Sequence, residues 1–291
     1  MFGRKKPVDC IQPPIYIDAQ RGCNNNNGNE WDTALSTIGE GFKRVRRGGK
    51  IVLYGKFLEE GLVTPHGVTD ITVIGHGTQP REGNAGRAGG PKTGAVDWRW
   101  ANDSTDKPLL HITQQGWRFE NLMLRGADKG GCVLLTRTLE AETSDRGFAG
   151  DHATFDGCVF QGPSVFGVCQ EGGIAMVHIK NCQFRMFYHE GDYAILGRTG
   201  EGVGFPIVWD ISNNKFIANY GDINCGIVDS VVRGNIFQRR SVLSSGVPDD
   251  VISVDLSAGR GNLVIENWFD VGAFKQGLYD RWHENHFHGD K

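Results

Sequence analysis

The stretch Val177–Phe184, VHIKNCQF, decides the fold because altered copies of it recur along the chain. In each copy, one apolar residue lies three positions before an anchor residue and another lies two positions after it. Here Ile179 and Phe184 flank the anchor Cys182. Five further copies fit the frame: Phe119–Leu124, Phe155–Phe160, Ile211–Phe216, Val232–Phe237 and Val264–Phe269. Their irregular intervals exclude a helical solenoid of fixed period and indicate short strands joined by loops of variable length.

The residue before each anchor predicts a sharp corner in the chain. It is Asn or Gly in five of the six copies, and both residue types tolerate positive φ. Units that run strand, corner, strand can bury their apolar residues only by stacking as successive coils. Stacking places like residues above like residues, so we expect a ladder of asparagines and a stack of aromatic rings. These structural residues are Asn214, Asn235, Asn267, Phe216, Phe237 and Phe269.

Rungs of this kind resemble the right-handed parallel β-helix of the pectate-lyase-like superfamily. The front of the chain, with a strand at Ile15–Gly22, a helical segment at Ala34–Arg47 and strands at Gly48–Phe57 and Ile71–Thr78, resembles the entry segment of phage tailspikes and related virion β-helices. The resemblance implies an all-β, single-stranded right-handed parallel β-helix with a short N-terminal capping helix.

The expected organisation is one β-helix domain with short flanking segments. We predict an N-terminal arm over residues 1–14, the β-helix over 15–272 and a C-terminal tail over 273–291. Within the β-helix, an apolar stripe predicts a capping helix at about residues 31–47; its members are Leu35, Ile38, Phe42 and Val45. Because this fold carries enzymes, adhesins and inert spikes alike, it does not by itself assign a function.

Composition excludes several classes of protein. A net charge of −3 argues against a general polyanion binder, so we expect no nucleic acid partner. The seven cysteines lack paired spacing and do not form a disulfide framework. The first ten residues have no apolar core, and no apolar run is long enough to span a membrane. We therefore expect synthesis in a reducing cytosol and no membrane insertion.

In the middle of the chain, residues 186–208 have the composition most typical of a functional site. Tyr188, His189, Glu190, Asp192 and Tyr193 lie close together there, and such aromatic, imidazole and carboxylate groups can bind a glycan. The alternative is that these residues belong to an ordinary loop of mixed polarity, which would have a similar composition. Tyr188 and Tyr193 are candidate glycan-binding residues, and Glu190 and Asp192 are candidate acids.

Two other groups of residues could contact or cleave a glycan. Trp98 and Trp100 flank an arginine, although their shared strand face favours a place in the core. Asp249, Asp250 and Asp255 form the best carboxylate grouping of the late rungs, although a Pro-Asp-Asp sequence is also an ordinary turn. The lyase signatures that the resemblance would imply are absent. The hydrolase motifs are incomplete, and those present occur in reversed order.

The chain ends with HxxHxH, formed by His283, His286 and His288. Histidines at this density suit a transition metal, and the pattern resembles the metal-binding tips of phage spikes, where a three-fold axis joins three copies. The alternative is an ordinary polar tail. Apart from a metal ion at these histidines, we expect no cofactor.

The resemblance favours a structural protein exposed on a phage virion, either a capsid decoration protein or a spike. It implies a homotrimer made in the host cytoplasm and released by lysis, in contact with other virion proteins and with host surface polysaccharide. Cap and rungs take up almost the whole chain, which favours a protein that is not an enzyme. The alternatives are a tailspike-type polysaccharide depolymerase, acting as a glycoside hydrolase or lyase, and a non-catalytic glycan-binding adhesin.

Overall fold

The structure is a computed structural model, and it describes residues 12–77, 96–136, 150–198, 204–238, 252–270 and 273–288. A 3₁₀ turn at Trp31–Thr33 and a helix, α1 (Ile38–Arg44), precede most of the strands. The strands are β1 (Ile15–Asp18), β2 (Lys50–Tyr54), β3 (Lys56–Leu58), β4 (Leu62–Val63), β5 (Thr72–Gly75), β6 (Val96–Arg99), β7 (Leu110–Ile112), β8 (Arg118–Glu120), β9 (Leu122–Arg125), β10 (Gly131–Thr136), β11 (Thr154–Asp156), β12 (Val159–Gln161), β13 (Phe166–Glu171), β14 (His178–Lys180), β15 (Gln183–Arg185), β16 (Tyr193–Arg198), β17 (Asp210–Ser212), β18 (Lys215–Ile217), β19 (Gly221–Asn224), β20 (Val231–Arg233), β21 (Ile236–Gln238), β22 (Ile252–Asp255), β23 (Leu263–Ile265), β24 (Trp268–Phe269), β25 (Ala273–Lys275), β26 (Arg281–His283) and β27 (His286–Phe287).

These strands form three parallel sheets, and each full coil contributes one strand to each sheet. Sheet A runs in the order β1-β2-β5-β8-β11-β14-β17-β20-β23-β26. Sheet B runs β3-β6-β9-β12-β15-β18-β21-β24-β27, and sheet C runs β4-β7-β10-β13-β16-β19-β22-β25. The predicted parallel β-helix is therefore confirmed. Its core fills the space between the three sheets.

The corners between sheets A and B have the geometry that the sequence predicts. Asn121, Asn181 and Asn213 have φ of 55°, 54° and 56°, and Gly157 and Gly234 have φ of 64° and 62°. Glu266, the one residue in this set that is neither Asn nor Gly, also has a positive φ of 56°. The corner conformation is thus imposed by the coil even where the residue type does not favour it.

The predicted asparagine ladder is present. Asn214 donates from its backbone N and from Nδ2 to Oδ1 of Asn235 at 2.9 and 3.1 Å. Asn235 donates in the same way to Asn267 at 2.9 and 3.0 Å. The second Nδ2 hydrogen of each asparagine bonds a backbone carbonyl of the preceding coil, as from Asn235 to Ile211 at 2.9 Å. Every polar group of these buried side chains is therefore satisfied.

The predicted aromatic stack is also present and is longer than the three rings anticipated. Neighbouring ring centroids are 4.6 to 5.0 Å apart, with interplanar angles of no more than 11°. The rings in order are Phe160, Phe184, Phe216, Phe237, Phe269 and Phe287. Cys158 and Cys182 occupy the anchor position in the earlier coils, and their thiols donate to the carbonyls of Phe119 and Phe155 at 3.4 and 3.5 Å.

The N-terminal end of the coil is closed by α1. The helix begins after Thr37, whose hydroxyl accepts the backbone N–H of Glu40 at 3.3 Å. All four residues of the predicted apolar stripe are buried, although only Ile38 and Phe42 lie within α1 itself. Only residues 12–14 of the expected N-terminal arm are among those described.

The expected C-terminal tail contains a further coil instead. Strands β25, β26 and β27 extend sheets C, A and B respectively. Asn285 continues the ladder, because its Oδ1 accepts Asn267 N and Nδ2, each at 3.0 Å. Trp282, Asn285 and Phe287 fit the recurring frame, so the rungs reach farther than the predicted boundary at residue 272. None of the described helices is long and apolar enough to cross a membrane.

Candidate active site

The outward face of sheet C carries the most varied set of chemical groups. Val133, Val168 and Ile195 share one register position on consecutive coils and are fully buried, so they point into the core. Outward positions on consecutive coils lie side by side, as Phe166 does with Tyr193 and Glu171 with Arg198. The loops that enter sheet C from sheet B border this face at the start of its strands.

Two of these loops form a histidine–carboxylate pair. Asp128 lies between β9 and β10, and His189 lies between β15 and β16. His189 Nε2 is 2.9 Å from Asp128 Oδ1, and both side chains are about half exposed. A carboxylate only accepts hydrogen bonds, so this contact places the proton of a neutral imidazole on Nε2 and leaves Nδ1 as an acceptor. An imidazole oriented in this way can act as a general base.

Asp192 shapes the loop that carries His189. Its Oδ2 accepts the backbone N–H of His189 at 3.1 Å, and its own N–H donates to the carbonyl of His189 at 3.0 Å. The residue is only 5% exposed. Burial, with a smaller contribution from the negative charge of Asp128, raises the pKa of Asp192 to about 6. Asp192, one of the two candidate acids, thus holds the turn in place. Glu190, the other candidate acid of the same loop, is exposed.

An aromatic side chain lies beside the pair. The Tyr188 ring lies 4.7 Å from the His189 ring, and Tyr188 is 40% exposed. Tyr193 begins β16, and its ring lies so close to Gly221 in the next coil that a Cβ on Gly221 would overlap it. Tyr188 therefore lies beside the histidine, where an exposed ring can stack on a sugar face, whereas the Tyr193 ring covers Gly221.

A second cluster crosses the same face and includes residues that sequence reasoning did not identify. Arg198 donates to Glu171 Oε1 at 2.8 Å, and its guanidinium lies 5.6 Å from the centre of the Phe166 ring. On the earlier coils, His111 Nε2 lies 2.5 Å from Thr136 Oγ1. Burial lowers the pKa of His111, partly offset by the charge of Glu171. The only sequence signal for this cluster is the polar residue that ends each of β10, β13 and β16.

The other predicted glycan-contacting residues lie elsewhere. Trp98 is fully buried and donates from Nε1 to the carbonyl of Glu59 at 2.8 Å, so it cannot contact a glycan. Trp100 packs partly buried against the core, with its indole N–H on Asp103. Both tryptophans lie at sheet B, away from the tyrosines.

The late carboxylates are only partly within the described chain. Asp249 and Asp250 lie outside the described residues. Asp255 lies on sheet C, where Oδ1 accepts Ser257 N at 3.0 Å and Oδ2 lies 3.6 Å from Lys275 Nζ. The Asp255 carboxylate therefore closes a turn and pairs with a lysine of the last coil.

The three C-terminal histidines do not converge on one point. His283 ends a strand of sheet A, whereas His286 starts a strand of sheet B, and the corner at Glu284 and Asn285 separates them. The His288 ring lies near Trp268, at 6.1 Å between centroids. Within the described part of the chain, no group of three or more His, Cys, Asp or Glu side chains could hold a metal ion.

Comparison with solved structures supports the fold. Pectin methylesterase from Aspergillus niger matches with a TM-score of 0.55 at 13% identity, over 98% of this chain and 88% of that one. The chain therefore shares the parallel β-helix fold of this enzyme. Carrot pectin methylesterase matches this β-helix with a TM-score of 0.51 at 11% identity, covering 97% and 85% of the two chains.

A third structure extends the comparison to another class of enzyme. The native lacto-N-biosidase of family GH136 from Eubacterium ramulus matches the β-helix with a TM-score of 0.50 at 10% identity, covering 94% and 68% of the two chains. No protein-family model and no curated protein sequence matches the chain. At these identities the likeness is one of fold.

Proposed function

We propose that this β-helix is a polysaccharide depolymerase that holds its glycan along the outward face of sheet C. The observation that carries the proposal is the half-exposed His189–Asp128 pair, which lies beside Tyr188 at the entrance to that face. A sugar that stacks on the exposed tyrosine would come within reach of the imidazole. The Arg198–Glu171 cluster farther along the strands offers hydrogen bonds to neighbouring sugars.

Each residue of the pair has a distinct role in this proposal. Asp128 fixes the tautomer and orientation of His189, and His189 Nδ1 accepts a proton from water or from the sugar ring. Proton transfer from water to His189 activates the water for hydrolysis, whereas removal of a sugar-ring proton beside a uronate carboxylate gives elimination. The leaving oxygen takes its proton from an acid in the same loop, for which the exposed Glu190 is the candidate.

The depolymerase has more support than the virion hypothesis. The solved structures named above are, by their names, glycan-acting enzymes, and none is a virion protein. The virion location, the homotrimer and the contact with host polysaccharide stay predictions from the resemblance alone. Mass spectrometry of purified particles and sedimentation of the pure chain would test them.

The depolymerase is tested by incubating the protein with neutral and uronate-containing polysaccharides. New reducing ends report cleavage, and the ultraviolet absorbance of an unsaturated uronate separates elimination from hydrolysis. We expect His189→Ala to lower kcat by about 10²- to 10⁴-fold, the usual contribution of a general base. Asp128→Asn should also lower kcat, because its amide can hold the wrong tautomer.

His178→Ala provides the matched control. His178 is also a partly exposed histidine near a carboxylate, 3.8 Å from Asp210, but it lies on sheet A. We expect its loss to leave kcat unchanged. Equal activity of His189→Ala and wild type would refute the role of the pair. Binding of a glycan without any cleavage would identify the chain as an adhesin instead.

A further inference from the structure

Sheet B carries a row of arginines on its outward face. Arg99, Arg125, Gln161 and Arg185 occupy the same register position on four consecutive coils. Neighbouring strands in a sheet are about 4.8 Å apart, so these side chains lie next to one another. We call these four residues the arginine column.

The arginine column has more positive charge than its surroundings neutralise. Among the described residues, Asp97 is the carboxylate within ion-pair distance of these arginines: Arg99 pairs with its Oδ2, and Arg125 Nε lies 3.1 Å from its Oδ1. The other hydrogen bonds of Arg125 are directed at the Met123 thioether sulfur, at 3.0 and 3.2 Å. One carboxylate therefore faces two guanidinium groups.

Within the part of the chain that the structure describes, the third guanidinium is paired with a neutral group. Arg185 donates from Nε and Nη2 to Gln161 Oε1, at 3.2 and 2.8 Å. An amide oxygen satisfies some of its donors but carries no negative charge. The column thus carries three positive charges, and Asp97 beside it supplies one negative charge.

Burial makes this imbalance costly. The Arg125 side chain is 14% exposed and that of Arg99 is 25% exposed, and Arg99 Nε is buried without a hydrogen-bond partner. Burial lowers the pKa of both Arg125 and Arg185, and the positive charge of Arg125 adds to the effect on Arg185. Cations removed from water are stable only when an anion or several acceptors meet them.

We propose that the arginine column is an anion-binding site that takes a carboxylate or sulfate group of an acidic polysaccharide. A guanidinium group binds such oxyanions through two parallel N–H bonds, and Arg99, Arg125 and Arg185 each keep N–H donors that no described residue accepts. The side chains are partly exposed, so an anion can reach them from solvent. The inference that the anion belongs to a polysaccharide rests on the proposed function. The anion site itself rests on the charge and burial of the arginines alone.

The site is tested by titrating the protein with sodium sulfate, sodium glucuronate, and sulfated and uronate oligosaccharides at constant ionic strength. Calorimetry gives the Kd for each probe. We expect Arg125→Gln to weaken binding roughly ten- to hundredfold, as for the loss of charge-assisted hydrogen bonds. Arg185→Gln is the second variant, because Arg185 lies at the end of the column. Circular dichroism verifies that both variants fold.

Arg118→Gln is the matched control, since Arg118 pairs with Glu120 and Asp156 on sheet A and needs no further anion. It should bind every probe as the wild type does. Equal affinity of Arg125→Gln and wild type, or no binding of any probe, would overturn the site. Binding of the simple ions without the oligosaccharides would overturn its assignment to a polysaccharide.

The outcome is separable from that of the proposed function. His189→Ala, which lies in a loop that enters sheet C, should keep the anion affinity of the wild type. A wild-type protein that cleaves no polysaccharide but binds the anions in an Arg125-dependent way would refute the proposed function alone. A wild-type protein that cleaves polysaccharide but shows no Arg125-dependent anion binding would refute the anion site alone.

Discussion

Replacing Asn235 by leucine tests whether the asparagine ladder stabilises the coil. Asn235 is fully buried, and its side chain makes four hydrogen bonds. Leucine has a similar volume but no polar atom. The substitution therefore removes the hydrogen bonds without leaving a large cavity.

The cost follows from the groups that lose their partners. The backbone N–H of Asn214 and the carbonyl of Ile211 lose the bonds that Asn235 provides. Each unsatisfied buried group costs about 1–3 kcal/mol, and burial of the leucine side chain offsets part of that. We expect the free energy of unfolding to fall by about 2–4 kcal/mol.

Urea unfolding, followed by circular dichroism and by tryptophan fluorescence, measures this change. Agreement of the two signals is the check that the coil unfolds in one step. Asn285→Leu is the matched control: Asn285 ends the ladder and is partly exposed, so water can replace its bonds. Its loss should cost about half as much. Equal stability of Asn235→Leu and wild type would refute the reasoning.

Three other predictions concern single residues. Phe216→Ala should lower the free energy of unfolding by about 3–5 kcal/mol, because Phe216 is buried between two rings whose centroids are 5.0 and 4.8 Å away. Phe205→Ala is the control: Phe205 is 53% exposed, so its loss should change the free energy of unfolding by less than about 0.5 kcal/mol. Burial raises the pKa of Asp192 from 3.8 to about 6, so its stabilising contribution is lost as the pH rises through 6. As the pH rises from about 4 to about 7, Asp192→Asn should gain stability over the wild type by at most roughly 3 kcal/mol, and a difference independent of pH would contradict this. Because burial raises the thiol pKa of both Cys132 and Cys169 to about 12, iodoacetamide should label the exposed Cys23 in the native protein and spare these two, as peptide mass spectrometry would show.

The repeating part of the fold is predictable because local rules determine it. An inward residue, a corner and a second inward residue recur in each copy, and Ile179, Cys182 and Phe184 are all buried in the structure. The corner rule holds even at Glu266, where the residue type argues against it. The last coil was missed because Asn285 lies within a polar stretch that reads as a tail.

The candidate site is less predictable because it depends on contacts between loops. His189 and Asp128 are 61 residues apart, and nothing in the frame relates one loop to another. Tyr188 and Tyr193 could be proposed since they share a loop with His189. Arg198, Glu171 and Phe166 required knowledge of which strands pair and in which register.

The two-residue corners between sheets A and B fix which residues of the following strand face the core. In the coil around Asn214, two residues separate β17 from β18, and the same is true at Gly234 and Glu266. One residue inserted there would turn Phe216 from the core to the surface, because side chains alternate along a strand. A longer insertion before β16 would leave the frame unchanged. New chemistry can therefore arise in the loops around sheet C without any change to the rungs beneath them.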